Sequence, residues 1–425
     1  MERLPQSFLS RRTLLRRTST IGATAALAAV AASVTHGAAH NDPPKAGESS
    51  VQGDNGCLDE AALAKLPDLQ PLPPNGVEAL IDLFDEHSLI AIGEDHGVWE
   101  IHDFLWSVLR HPNFPEKANN LVVEYGNSLY QDVIDRYVAG EDVPAQELRQ
   151  VWRNTTQSVT LVWDSPIYEQ AYAVVREINQ QLPANKRVRV LLGDPPIDWR
   201  KVEKEEDVVA FLEQRDPHFT SVVEREVLDK GGRALMMAGA LHFQRTPPPP
   251  ADSGLPYHPS VIALLDERAP GQTFVLIPAG GAPVELDPDR TQLQRLATLP
   301  VPSIARVAGT WYGATGCLTI PTGDVLHVED QVDGVAYLGP SDTFSVAMPS
   351  PFIYRDDEYF DELDRRHRIM RGAPLPLDEP RYVRHGTPGI DLRGGQADQG
   401  DMVSAAPDSG PPPAGEGQST PAAES

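Results

Sequence analysis

Five short runs of apolar and β-branched residues punctuate the chain: "SLIAIG" at 88 to 93, "NLVVEYG" at 120 to 126, "VRVLLGD" at 188 to 194, "ALMMAGALHF" at 234 to 243 and "TFVLIP" at 273 to 278. A run this short that is apolar at nearly every position suits a strand covered on both faces, because a strand with one wet face would alternate. The intervening segments carry helical spacing instead. Trp99, Phe104, Leu105 and Leu109 form one apolar stripe, and Ile167, Tyr168, Ala171, Val174, Val175 and Ile178 another. Strands alternating with helices predict an α/β fold, a mostly parallel central sheet with helices on both faces. A single domain with insertions and a disordered tail is expected.

Within that frame the ionisable residues fall at one place, the end of each strand. Glu94 and His96 follow the first strand, Glu124 closes the second, Asp194 the third and His242 the fourth. Open α/β sheets bind ligands beyond the carboxyl ends of their strands, so these four strands are expected to deliver their acids and histidines to one pocket. In "GEDHG", Gly93 is expected to permit a tight turn and Gly97 a close backbone approach. Asp95 is expected to cap the helix that starts at residue 98. Glu94 and His96, two apart in an extended segment, face the same side, as a carboxylate that orients an imidazole requires. Glu100, one turn on, either reaches back to His96 or solvates its helix face. His87 and His102 read as surface or core residues, and His258 as a residue that could face the pocket.

The segment from Gly140 to Pro166 is long for a crossover and rich in Trp, Thr and Ser, so it is expected to line or cover something. The proline run in "RTPPPPADSGLP", residues 245 to 256, demands an irregular loop. Two common hydrolase patterns are missing: "YGNSLY" lacks the second glycine of a serine nucleophile elbow, and no H-E-x-x-H occurs.

The ends differ from the middle. Residues 1 to 39 hold "SRRTLLRRTS", the apolar stretch Ile21 to Val34 and small residues around "HGAAH", the order of an export signal. Arg11 and Arg12 after Ser10 resemble a twin-arginine signal, and the apolar stretch is too short to span a bilayer. A flexible linker at 40 to 56, an α/β domain at 57 to 393 and a disordered tail at 394 to 425 follow. The location expected is periplasmic or secreted. Loss of the signal, with its five Arg and one Glu, takes the net charge from −25 to −29, which disfavours nucleic acid and anionic membranes as partners. The expected partner is a small-molecule or peptide substrate. Cys57 and Cys317 are the only cysteines, and export into an oxidising space makes them an expected pair.

At these residues the chain resembles a known group. "GEDHG", "WEIHDF" and "VVEYG" are similar to motifs of the erythromycin esterase family, and the pair "GEDH" and "GALH" resembles the twin G-x-x-H signature of the Tiki/TraB and ChaN-like proteins. The likeness covers roughly residues 85 to 280 and, less clearly, "VDGVAYLGP" at 332 to 340. The esterase likeness implies a hydrolase of an ester, lactone or amide in which His96 activates water, with Glu94, Glu100 and Glu124 shaping the site. The Tiki likeness implies that His96 and His242, with Glu94 beside them, hold a divalent metal such as Mn or Zn. A haem- or metal-carrying protein of ChaN-like type, without turnover, is the alternative that the same motifs imply.

Overall fold

A computed structural model describes residues 57–160, 162–246, 259–279, 290–316, 318–319, 325–347, 349 and 356–375. The segment expected to be an export signal, the expected linker at 40 to 56 and tail from 394, most of the proline loop, His258 and Cys317 lie outside these residues, and with Cys317 the expected cysteine pairing. Two compact units are distinguished, Met1–Ser350 with Asp361–Leu375, and Pro351–Phe360 with Pro376–Ser425. The architecture below belongs to the first. No helix among the described residues is long and apolar enough to cross a membrane.

The five apolar runs form strands β1 (Leu89–Glu94), β2 (Asn120–Asn127), β3 (Arg189–Asp194), β4 (Ala234–Gly239) and β5 (Thr273–Pro278). Two further strands, β6 (Ser303–Arg306) and β9 (Gly334–Tyr337), join them in a seven-stranded sheet of order β3-β2-β4-β1-β5-β9-β6, parallel except for the β6–β9 pair. Strands β7 (Leu318–Thr319) and β8 (Val325–Leu326) make a separate antiparallel ribbon. The fourth strand stops four residues earlier than its apolar run. Its last residue, Gly239, is level with Glu94, the end of β1, and Ala240–Phe243 turn into a 3-10 helix.

Alternation along each strand feeds two cores, as a sheet covered on both faces requires. Ile90, Ile92, Leu121, Val123, Leu235 and Met237 pack on one face with the helices Gly76–Leu83, Trp99–Leu109 and Pro166–Asn179. Leu89, Ala91, Val122, Met236 and Val275 pack on the other with Arg215–Glu226 and Val261–Arg268. The Gly140 to Pro166 insertion is more regular than its composition implies. It holds an amphipathic helix, Ala145–Arg153, that buries Leu148, Val151 and Trp152, followed by 3-10 turns at Ser158–Thr160 and Val162–Asp164.

Two local features shape the carboxyl edge of the sheet. Val123 pairs with Leu192 but Asn127 with Asp194, so three residues of β2, Glu124 to Gly126, oppose the single Gly193 of β3. A bulge of this kind re-aims side chains and ends regular pairing, and Glu124 sits in it. Gly193 also lets a helix come close. A Cβ there would lie 2.2 Å from the Phe219 ring, so only glycine allows Arg215–Glu226 to press its first turns against the strand ends.

Candidate functional site

Glu94 ends β1 with its side chain fully buried, and its two carboxylate oxygens are both used. Oε1 is 2.8 Å from His96 Nδ1, and Oε2 is 2.8 Å from His102 Nε2. Tyr168 donates its hydroxyl to the same Oε1 at 3.3 Å and accepts from the Gly97 amide at 2.9 Å. Burial pushes the Glu94 carboxyl up, but the hydrogen bonds and charges of His102 and His96 outweigh it and hold the pKa below the ordinary range. An ionised carboxylate only accepts, so the facing nitrogens, His96 Nδ1 and His102 Nε2, carry protons. That fixes the working atom of His96 as Nε2.

The loop between strand and helix differs from its sequence reading. Gly97, at φ +86°, supplies the left-handed turn. Gly93 stays in the strand, where a Cβ would lie 2.9 Å from Ala240, so the roles expected of the two glycines are exchanged. Asp95 does not cap the helix. Val98 occupies the N-cap, with no side-chain bond, three residues beyond Asp95. Burial raises the Asp95 carboxyl to about 6.

The second half of the site is built on Glu124. Its Oε2 accepts from the Gly239 amide at 2.7 Å, and its Oε1 pairs with Arg215 and lies 3.1 Å from His242 Nε2. His242 Nδ1 is bonded in turn to Asp216. Burial opposes the charged forms, yet His242 and Arg215 hold Glu124 well below the carboxylate range, and Asp216 and Glu124 carry His242 up to about 10. His242 is therefore an imidazolium at neutral pH. Asp194, at the end of β3, accepts from the Thr156 amide at 2.9 Å and from the Thr156 hydroxyl. Burial raises it to about 7, against the pull of the Arg215 charge.

Gly239 joins the halves. A Cβ on it would lie 2.9 Å from His96 Cε1 and Nε2 and 3.5 Å from Glu124 Oε2, so the His96 ring occupies the space that only glycine leaves. The geometry thus brings Glu94, His96, Glu124 and His242 together at the carboxyl edge of β1, β2 and β4. The His96 side chain is 26% exposed, whereas that of Glu94 is 0% exposed, which makes the ring the part of the dyad that solvent reaches. Trp163, from the insertion, stands edge-on to His96 with ring centroids 4.7 Å apart, and Tyr168 and Tyr125 continue the aromatic layer behind it. Its indole nitrogen and the Tyr125 hydroxyl are buried with no hydrogen-bond partner among the described residues.

Glu100 takes neither place open to it in the sequence. It accepts from the Ser345 amide at 3.0 Å and from the Ser345 hydroxyl at 2.6 Å, anchoring that segment over the helix start instead of touching His96. The metal reading of His96, His242 and Glu94 does not fit the side chains, since both nitrogens of His242 are engaged by carboxylates. Among the described residues no group of three His, Cys, Asp or Glu is arranged to hold a metal ion. Thr156 and Trp163 lie in the insertion expected to line or cover something, but Arg215 and Asp216 carried no sequence signal. His102 did: it sits on the buried stripe of its helix with Trp106 and Leu109, where a histidine needs a partner.

No family model and no curated protein matches the chain. Solved structures similar to it include a Bacillus cereus protein at 12% identity, covering 67% of this chain and 97% of the other with a TM-score of 0.45. An erythromycin esterase in its open conformation is 11% identical, with 62% and 93% covered and a TM-score of 0.43. ChaN of Campylobacter jejuni, with cofacially bound haem, is 11% identical, with 48% and 87% covered and a TM-score of 0.28. The last two carry the names of groups that the motifs resemble, but likeness at this level assigns no activity to this chain.

Proposed function

We propose that the chain is an exported hydrolase acting on an ester, lactone or amide, with His96 as the general base. The observation that carries this reading is the bond from His96 Nδ1 to buried Glu94 at 2.8 Å, which fixes ring and tautomer and leaves Nε2 on the side toward Gly239 and Glu124. Water gives a proton to Nε2 as its oxygen bonds the carbonyl carbon. The bond to the leaving group then breaks, and the departing oxygen or nitrogen takes the proton from His96. Glu94 stabilises the imidazolium in between. Glu124, held by Arg215, His242 and the Gly239 amide, sets the field beside the reacting atoms. Export rests on the amino-terminal signal pattern alone.

The test is hydrolysis of a panel of esters, lactones and amides by wild type and His96→Ala. The variant is expected to melt near the wild-type temperature, because the ring is partly exposed, and to lose at least about 10²-fold in rate, the scale of general-base loss. Equal rates for the two proteins would refute the role.

A further inference from the structure

"YGNSLY" fails as a serine elbow by its glycine pattern, yet the structure gives its serine the right place and a partner. Ser128 follows Asn127, the last residue of β2, in a 3-10 turn that runs into the helix Gln131–Ala139, so it stands at a strand-to-helix turn on the carboxyl edge. Its Oγ lies 2.9 Å from His218 Nε2. The position beyond it where the elbow has glycine is Tyr130, whose hydroxyl accepts from Asn154 at 2.9 Å.

The turn is rigid. Asn127, fully buried, accepts from the Leu129 amide at 2.8 Å and donates to the carbonyls of Asn154 at 2.7 Å and Ile197 at 2.8 Å. His218 sits one turn after Arg215 on its helix and lines an open groove of about 340 Å³ with Pro195, Pro196, Phe211, Gln214 and Pro217. Burial, with the Arg225 charge, holds His218 below the ordinary histidine range, so its ring is neutral at pH 7 and has a nitrogen able to accept a proton.

We infer that Ser128 and His218 form a second reactive pair, an acyl-accepting serine and its base, that takes small activated esters. The hydroxyl of Ser128 donates to Nε2, with the ring proton on Nδ1. Oγ bonds the acyl carbon as its proton passes to His218, and the bond to the leaving alcohol breaks as His218 returns that proton to the alcohol. Water then displaces Oγ from the acyl group, and Oγ regains a proton. The Leu129 amide, which in an elbow would face the developing oxyanion, is already given to Asn127. Acylation is therefore confined to substrates with good leaving groups, and release of the acyl group is slow.

Treating the full chain with a fluorophosphonate probe, and separately with p-nitrophenyl acetate, followed by peptide mass mapping, tests the pair. The expected result is an adduct on Ser128 that forms at least tenfold more slowly in His218→Gln and is absent from that peptide in Ser128→Ala. A wild-type Ser128 left unmodified by both reagents would overturn the inference, and so would an unchanged rate in His218→Gln. The wild-type and His218→Gln results decide the matter even where Ser128→Ala does not fold. The adduct is read at Ser128, so its presence or absence is independent of the role proposed for His96.

Discussion

Replacing Gly239 by alanine perturbs the proposed site and little else. The backbone at Gly239, φ −52° and ψ 138°, is open to any L residue, so the substitution brings no backbone strain. The new methyl would meet His96 Cε1 and Nε2 at 2.9 Å, well inside the roughly 3.5 to 4.0 Å of a normal carbon contact. The obstructing atoms are the far end of a partly exposed ring, so His96 yields by turning off its rotamer, at a cost of about 0.5–1.5 kcal/mol. Loss of unfolded-state freedom on going from Gly to Ala contributes about 0.4–1 kcal/mol in the other direction. Turning the ring also weakens its bond to the buried Glu94 carboxylate, a charged-group hydrogen bond of about 1.5–3 kcal/mol, so stability is expected to fall by roughly 1 to 4 kcal/mol. The working nitrogen, however, is pushed off its position and the space beside Glu124 is filled, so hydrolysis is expected to fall by roughly 10² to 10⁴, as for loss of the base itself. Thermal melting and steady-state hydrolysis of the same ester give the two numbers. An active Gly239→Ala enzyme would show that the face of His96 toward Gly239 is not where the chemistry occurs.

Two other outcomes follow from the same chain. Asp194 has a folded-state pKa raised from 3.8 to about 7, so the folded protein binds a proton that the unfolded chain releases, and stability falls as pH rises from about 4 to 7. Asp194→Asn is expected to flatten that part of the stability curve, by about 4 kcal/mol at most for a shift of some three units, and urea melts at pH 5 and pH 8 with the same slope in both proteins would contradict it. Cys57 and Cys317 are proposed to pair after export, so thiol titration of the denatured, unreduced mature protein is expected to find no free thiol, and two free thiols per chain would rule the bond out.

The central sheet was legible because its strands are buried on both faces and read as unbroken apolar runs, with ends matching to within a residue or two for β1, β2, β3 and β5. The short strands β6 and β9 at one side of the sheet were not. Each has four residues, and β9 is Gly-Val-Ala-Tyr, too short and small in side chain to stand out. Half of the candidate site was legible in the same way, because Glu94, Glu124 and His242 are polar groups where a strand ends, and burying them demands partners. The partners were hidden. Arg215 and Asp216 reach the site only because Gly193 lets their helix approach, and Thr156 and Trp163 only because the insertion folds back over the strand ends; neither is a property of local sequence. Glu100 illustrates the converse: spacing placed it one turn from His96, but Ser345, distant in sequence, offers it two hydrogen-bond donors.

The most direct test of the account is the dependence of kcat/KM on pH in wild type and in Glu94→Gln. Burial alone would lower the His96 pKa, but the Glu94 hydrogen bond and charge, with Glu124 adding to them against His242, raise it above 6.5. A base must be unprotonated to accept, so the wild-type rate is expected to climb with pH through a midpoint above 6.5. Glutamine keeps the shape of Glu94 and removes its charge, so the midpoint should move to lower pH while the plateau rate drops, as the ring loses its fixed tautomer and the charge that stabilises it. A wild-type profile flat from pH 5 to 9, or a Glu94→Gln midpoint and plateau unchanged from wild type, would contradict the claim that Glu94 and His96 work as one unit.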